Sequence, residues 1–399
     1  MSRIDDLIRD LCPDGVEYKP LGDVARYSPR KVSAEDINST TFVGVDNLVS
    51  QKRGRINATH NPNTSTLTAY RPGNILLGNI RPYLKKIWLA DRSGGCSGDV
   101  LAVEINDQYS KLLESRFLYY VLSSDSFFTF DQQNAKGAKM PRGDKEAILR
   151  YPAPVPPLEV QHEITRTLDK FTELEAELEA ELEARRQQYT YYRDILVAPR
   201  TSIQTVKLGE VSRIARGASP RPIRKFITDN SGVPWIKIGD VPPQGKYVTT
   251  TAQHISTYGA EKSRQIKPGD FILSNSMSFG RPYISKINGC IHDGWLVISD
   301  YEKTFDPNFL YHVLRSSPIQ KDFTQRAGSG TVRNLNSKIV SETLVPAPPV
   351  DQQRDIVDIL DKFDLLVNDL TSGLPAEIEA RRKQYEYYRD RLLTFPEKK

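Results

Sequence analysis

The sequence predicts an α+β protein made by duplication: two related α/β domains alternating with two long helices that pair antiparallel. Three observations carry this prediction. First, Ala184-Arg185-Arg186-Gln187-Gln188-Tyr189-Thr190-Tyr191-Tyr192-Arg193-Asp194 returns as Ala380-Arg381-Arg382-Lys383-Gln384-Tyr385-Glu386-Tyr387-Tyr388-Arg389-Asp390, at an offset of 196. Agreement this dense in polar, tyrosine-rich segments marks an internal repeat. Second, Leu168-Asp169-Lys170-Phe171 matches Leu360-Asp361-Lys362-Phe363 and Pro156-Pro157 matches Pro348-Pro349, both at an offset of 192. Third, charge follows the repeat: residues 18–150 and 200–344 carry +6 and +9, whereas 1–17, 151–199 and 345–399 carry −3, −5 and −2. Basic globular parts joined by acidic helical parts are the footprint of a polyanion-binding protein whose connectors stay off the polyanion.

These boundaries divide the chain into a helical stub at 1–17, a first domain at 18–155, a central repeat helix at 156–199, a second domain at 200–347 and a distal repeat helix at 348–399. The stub carries Ile4, Leu7, Ile8 and Leu11 at helical spacing and stops at Pro13-Asp14-Gly15. Arg9-Asp10 echoes Arg193-Asp194 and Arg389-Asp390, so the N-terminus is expected to pack near the C-terminus as a truncated third copy. Met1 to Asp10 alternates charge and no run of about 18 apolar residues occurs, which makes the cytoplasm the default location. Cys12, Cys96 and Cys290 offer neither a disulfide framework nor metal-ligand spacing and are expected to be packing residues.

The two domains correspond in blocks. Lys19-Pro20-Leu21-Gly22-Asp23-Val24 pairs with Val206-Lys207-Leu208-Gly209-Glu210-Val211, and the alternating strand Phe42 to Leu48 with Trp235 to Val241. Pro72-Gly73-Asn74 and Pro268-Gly269-Asp270 are turns that feed buried strands, and Phe117 to Ser124 and Phe309 to Ser316 have the spacing of packing helices. Between these blocks the domains diverge, as 50–68 and 242–264 do. One scaffold with different loops suits two readers of different targets.

Two loops are the main nucleic-acid candidates: Ala135 to Gly143, with Lys136, Lys139 and Arg142, and Ala327 to Leu335, with Ser329, Thr331, Arg333 and Asn334. Glycine admits close backbone approach, lysine and arginine neutralise phosphates, and arginine or asparagine can bond base edges in pairs. Arg81 and Arg281, each in Arg-Pro-Tyr, are further candidates. Lys52, Arg53 and Arg55, with Arg221, Arg224 and Lys225, are expected to contact phosphates rather than bases.

After each domain a proline-rich stretch, 152–157 and 346–349, leads into a helix. In the first copy Ile164, Leu168, Phe171, Leu174, Leu178, Leu182, Tyr189, Tyr192 and Leu196 recur at a mean spacing of about 3.6, one stripe of a helix. Continuing that stripe, Tyr189, Tyr192, Tyr385 and Tyr388, with Arg193 and Arg389, are expected either to bind partner subunits or to pack within the chain's own core.

As a set, the Pro-Pro-led helix with Leu-Asp-Lys-Phe, the Gln-Tyr-x-Tyr-Tyr-Arg-Asp terminus, the Leu-Gly-Asp/Glu-Val opening and the Pro-Gly-Asn/Asp turn closely resemble the specificity subunits of type I restriction-modification systems. The resemblance spans nearly the whole chain. It implies two pseudo-twofold-related α/β target-recognition domains, each reading half of a split double-stranded DNA sequence, separated by an antiparallel coiled coil of the two helices. It also implies two methyltransferase subunits at those helices and restriction subunits in the full complex. S-adenosylmethionine, ATP and Mg would then belong to those partners, with no cofactor and no metal in this chain. Ser372-Gly373-Leu374-Pro375 departs from the pattern and interrupts the distal helix.

The catalytic inventory agrees with a non-catalytic reader. Asn61-Pro62-Asn63 lacks the aromatic of a methyltransferase motif, there is no Gly-Lys-Ser/Thr phosphate loop, and the five histidines are scattered. Pro13-Asp14, Glu17 and Lys19 spell the letters of a nuclease motif, but such a site needs acids converging from separate strands. The alternative is a coiled-coil interaction protein whose basic domains bind acidic protein partners.

Overall fold

The computed structural model of the chain describes residues 3–199, 203–229, 231–241, 245–275, 279–327, 334–369 and 371–398. They form two compact units, Met1–Ala176 with Ala380–Lys399, and Glu177–Glu379. Each division falls within a long helical segment, so each unit combines one α/β domain with the end of one repeat and the start of the other.

In the first unit an antiparallel sheet runs in the order Ala25–Tyr27, Val100–Ile105, Ile75–Gly78, Ile87–Leu89. In the second, Arg213–Arg216, Trp295–Ser299, Phe271–Ser274 and Pro282–Ser285 repeat that order, and Tyr247–Val248 adds a parallel edge. The second sheets share three strands: Thr66–Tyr70, Gly94–Cys96 and Phe42–Val43 correspond to Arg264–Ile266, Gly289–Ile291 and Val233–Ile236. The divergent segments build different edges on this frame. The first unit adds Lys31–Ser33 beside Thr66–Tyr70, whereas the second adds Gln253–Ile255 and Ile227–Thr228 at the opposite edge. All three cysteines are buried and free.

The central helix, Leu158–Leu196, is continuous. Its distal counterpart is broken into Val350–Asn368 and Leu374–Leu392. Asp369 makes the break: its Oδ1 accepts the N–H groups of Thr371 at 2.6 Å and Ser372 at 3.2 Å, offering the chain a turn instead of another helical step. Gly373 follows because a Cβ there would come within 2.6 to 2.9 Å of the Leu365, Leu366 and Asp369 carbonyl atoms.

The helices pair within each unit through the repeated residues. In the first, Phe171 stacks on Tyr388 with ring centroids 5.7 Å apart and lies 6.2 Å from Tyr385, while Glu175 pairs with Arg382. Partner numbers fall as helix numbers rise, so this pair is antiparallel. In the second, Phe363 takes the place of Phe171 and stacks on Tyr192 at 5.7 Å and Tyr189 at 6.5 Å. Ile164, Leu168, Leu182 and Tyr189 of the central stripe are buried, but Leu174 is exposed.

One buried glutamine fastens each helix to its domain. Gln161 Nε2 donates to the carbonyls of Leu112 and Pro156, both at 2.7 Å, and its Oε1 accepts the Glu114 N–H at 2.9 Å. Gln353 repeats this with Thr304 O (2.9 Å), Pro348 O (2.8 Å) and the Asp306 N–H (2.8 Å), and both side chains are fully buried.

Closure of the first unit joins the chain ends. Val16 N donates to Pro396 O at 2.8 Å, Lys398 N to Val16 O at 3.0 Å and Tyr18 Oη to Phe395 O at 3.1 Å. Gly15, at φ +97°, lets the strands approach, since a Cβ would lie 2.7 Å from Pro396 O.

Replacing Gln161 with leucine strands three backbone groups in the interior. At about 1–3 kcal/mol for each unsatisfied group, the first unit should lose about 3 kcal/mol or more. Urea unfolding of wild type and Gln161→Leu measures it; a change under about 1 kcal/mol would contradict this role.

Candidate nucleic-acid interface

The first candidate loop follows the helix Asp125–Gln133. Lys136 N donates to Arg142 O at 2.8 Å and Arg142 N to Lys136 O at 2.9 Å, closing residues 137–141 into a tip, with Gly137 at φ +97°. Its root is stitched to the sheet end: Arg81 N donates to Pro141 O (2.7 Å), Gly143 N to Asn79 O (3.0 Å) and Asn79 N to Asp99 O (2.9 Å). Arg81, a non-glycine residue at φ 54°, is thereby brought to the loop from some sixty positions away in sequence.

Arg81, Lys136, Lys139 and Arg142 all belong to this one exposed cluster. Lys136 pairs with Asp144 at 2.5 Å, and that hydrogen bond raises the lysine pKa and lowers that of the carboxyl. Arg142 lies 3.2 Å from Asp99, with both side chains largely in solvent. Exposed pairs of this kind are weak and exchange readily for a phosphate. Tyr83 and Met140 add exposed apolar surface to the cluster.

In the second unit Ser329, Thr331 and Arg333 lie outside the described residues, and Asn334 is exposed. The root repeats that of the first unit: Leu335 N donates to Asn275 O at 2.9 Å, and Asn275 N to Gly294 O at 3.0 Å. Asn275 Nδ2 also holds Asp293 O at 2.9 Å. Arg221 is almost fully exposed, 3.8 Å from the Asp293 carboxylate, which a hydrogen bond from Ser219 keeps below the usual carboxylate range. Arg281 is half-buried, its guanidinium 5.4 Å from the Tyr283 ring centroid. Arg224 and Lys225 stand exposed on the turn Ile223–Lys225.

The remaining first-unit cluster splits. Arg53 is exposed, but Arg55 stacks on Trp88 at 5.0 Å and is half-buried. Lys52 is a correction: its side chain is only 10% exposed, 3.2 Å from Asp125 and 3.5 Å from Glu386. Burial, and then the charge of Arg389, lowers its pKa. Burial pushes the Asp125 carboxyl upward, yet Lys85, Lys52 and Arg389 together hold it at about 2. Lys52 therefore belongs to an internal ion cluster and not to a phosphate-facing surface.

The repeated helix ends need the same correction. Tyr189 is buried, bonded through its hydroxyl to His312 Nδ1 at 3.0 Å, and Tyr385 is half-buried against the first unit's core. Arg389 is fully buried between Asp390 at 2.8 Å and Asp125 at 3.6 Å, and Arg193 is buried beside Asp194 at 3.1 Å. Both aspartates turn back to their domains, Asp390 accepting the Asp125 N–H at 3.3 Å and Asp194 the Ser317 N–H at 3.0 Å. None of these four side chains is a free docking surface.

Tyr192 and Tyr388 stay partly exposed, and each meets a neighbour that the sequence reading left out. Tyr191 and Tyr387 are each 61% exposed, and the pairs Tyr191–Tyr192 and Tyr387–Tyr388 are edge-on at 5.5 Å and 5.4 Å. Helical phase was the available signal, because a residue two positions beyond the inward-packed Tyr189 or Tyr385 points away from the packed face. The loop-root residues Asn79, Asn275, Asp99 and Asp293 carried no comparable signal.

The model of the type I restriction modification DNA specificity domain matches residues 13–184 and 201–380. The EcoR124I/EcoR124II specificity subunit of Escherichia coli is 30% identical over 99% of this chain and 98% of its own length. A putative type I restriction enzyme specificity subunit of Haemophilus influenzae is 29% identical, over 95% and 96%. In fold, a solved chain from work on complex assembly and conformational transition of the type I R-M system aligns over 95% of this chain and 97% of its own, with TM-score 0.63 and 20% identity.

Lys52→Met should lower the stability of the first unit by roughly 1–3 kcal/mol, since it removes a buried cation from between two part-exposed carboxylates. It should leave the salt dependence of DNA binding unchanged. Urea unfolding and a salt titration test this; a shallower salt slope with unchanged stability would return Lys52 to the surface.

Proposed function

The chain belongs to the family of type I restriction modification DNA specificity domains, and we propose that its two units read the two halves of a split DNA target through their Asn-rooted loops. It is the DNA sequence-specificity subunit of a type I restriction-modification complex, a non-catalytic recognition component that binds DNA and works with methyltransferase and restriction subunits. Family membership displaces the alternative of a binder of acidic proteins. The observation that carries the finer reading is the repeated root, Asn79 and Asn275, that leads into loops of different sequence, on a frame whose second sheet is extended at different edges by other divergent segments. Arg81, Lys136, Lys139 and Arg142 serve the first half-site. Arg221, Arg281, Asn334 and the loop carrying Ser329, Thr331 and Arg333 serve the second, with Arg53, Arg224 and Lys225 as phosphate contacts.

The exposed pairs Tyr191–Tyr192 and Tyr387–Tyr388 support one methyltransferase docking surface per unit, hence two such subunits. Tyrosine pairs are rigid, amphipathic anchors, and each unit presents one in nearly the same geometry. S-adenosylmethionine, ATP and Mg are assigned to the partner subunits. Among the described residues no group of three or more His, Cys, Asp or Glu is placed to hold a metal. No described helix is long and apolar enough to cross a membrane, and the cytoplasm is the location proposed.

Exchange of residues 18–150 for those of another family member should change one half of the methylated motif and leave the other intact, as read by methylome sequencing. Changes in both halves would refute a division of labour between the units. The double variant Lys136→Ala/Arg142→Ala should reduce the slope of log K against log salt by nearly 2, at about 0.9 per phosphate contact. An unchanged slope would remove this loop from the DNA interface.

The acidic repeat of the central helix invites a length test. Glu177 to Ala180 repeats Glu173-Leu174-Glu175-Ala176, and its removal shortens a helix by about 6 Å and turns it by about 40°. B-DNA advances about 3.4 Å and roughly 35° per base pair. Deleting Glu177 to Ala180 should therefore shorten the unspecified spacer by one or two base pairs while both half-sites stay the same. An unchanged spacer in an active enzyme would show that this helix does not set the distance.

A further inference from the structure

The root of the 135–143 loop sits over a carboxyl group that has no partner. Asp131, on the helix Asp125–Gln133, is 1% exposed, and neither of its oxygens makes a hydrogen bond. Asn79 Oδ1 is also buried without a partner. Both border one small space: a Cβ on Gly143 would lie 2.5 Å from Asp131 Oδ1 and 2.8 Å from Asn79 Oδ1. Two buried acceptors facing one space repel each other, and a carboxylate there also bears the cost of leaving water.

Among the described residues no cation pairs with either of them. Tyr27, from the strand Ala25–Tyr27, donates its hydroxyl to Lys145 O at 2.8 Å. Asp144 is occupied by Lys136 and by the N–H groups of Glu146 and Ala147, and Asp99 by Arg142. On the same helix Phe127 and Phe128 are buried in the core. Burial accordingly pushes the Asp131 carboxyl up to about 7. At the matching position of the second unit stands Phe323, fully buried and apolar, so the feature is confined to the first unit.

We propose that the neutral carboxyl of Asp131 is the positioning group of the 135–143 loop: it donates its proton to Asn79 Oδ1 and so holds the residue whose backbone binds both Asp99 and Gly143. Its consequence for recognition rests on the reading of this loop as a DNA contact; its structural part does not. With the loop closed, the group keeps its proton to about pH 7, whereas in a loop opened to water it ionises near 4. The closed form thus binds one more proton than the open form between these values. Its advantage is complete below about pH 4, is lost as pH rises to about 7, and stays lost above.

The test is amide hydrogen exchange of residues 135–143 in the full chain from pH 5.5 to 8.5, corrected for intrinsic rates, for wild type and Asp131→Asn. Wild-type protection should fall about tenfold per pH unit up to about 7 and then level off. Asparagine donates from Nδ2 without titrating, so Asp131→Asn should be flat and better protected than wild type at pH 8. Matching profiles, or protection that rises with pH, would overturn the proposal, the Asn79 amide then being turned to donate to an ionised Asp131. If the variant does not fold, the wild-type profile alone decides, and a flat one overturns it. DNA affinity measured in parallel separates the two readings: exchange that follows the pattern while first-half-site affinity does not supports Asp131 as positioning group and refutes the loop as DNA contact.

Discussion

Each unit depends on attaching an acidic helix to an α/β domain without leaving backbone groups unsatisfied at the junction. The proline-rich entry to the helix exposes carbonyls that no helix turn can use, and the domain offers a loop with an unpaired N–H and an unpaired carbonyl. A single side chain with one acceptor and two donors on the same amide answers all three needs, and Gln161 and Gln353 supply it with bonds of 2.7 to 2.9 Å. The fastening fixes the phase of the helix, and phase decides which of its residues face the domain.

Downstream of that phase, the recurring polar ends of the repeats turn inward. Arg389 and Arg193 each lie against the ring of a preceding tyrosine, at 5.6 Å from Tyr385 and 5.4 Å from Tyr189, and next to an aspartate that caps the neighbouring domain helix. A buried guanidinium is tolerated because carboxylates surround it. The same arrangement leaves the tyrosine two places further on in solvent, so a docking anchor and a structural anchor alternate along one helix.

The two units solve recognition on a common frame. Shared strands and the asparagine root recur in both units, while divergent segments extend the second sheet at opposite edges. At one matching position of the helix that precedes the loop the units differ, Asp131 in one and Phe323 in the other, so a single duplication has yielded different interiors as well as different surfaces.

By itself the sequence determined the duplication, the α+β class, the segregation of charge and the helical stripe, and it marked Ser372 to Pro375 as an interruption whose effect on the helix it left open. These are local or compositional properties: periodicity, turn chemistry and repeated words survive without knowledge of what packs on what. Family membership was legible for the same reason, since its motifs are contiguous. Only the tertiary structure decided between residues of equal chemistry, such as Lys52 in an ion cluster and Arg53 in solvent, or Tyr189 in the core and Tyr191 outside. It alone brought Arg81 to the 135–143 loop and put Asp131 below it. The physical reason is that burial and partnership are set by contacts between segments far apart in the chain, and a short polar run carries no record of which side of its backbone those segments will cover.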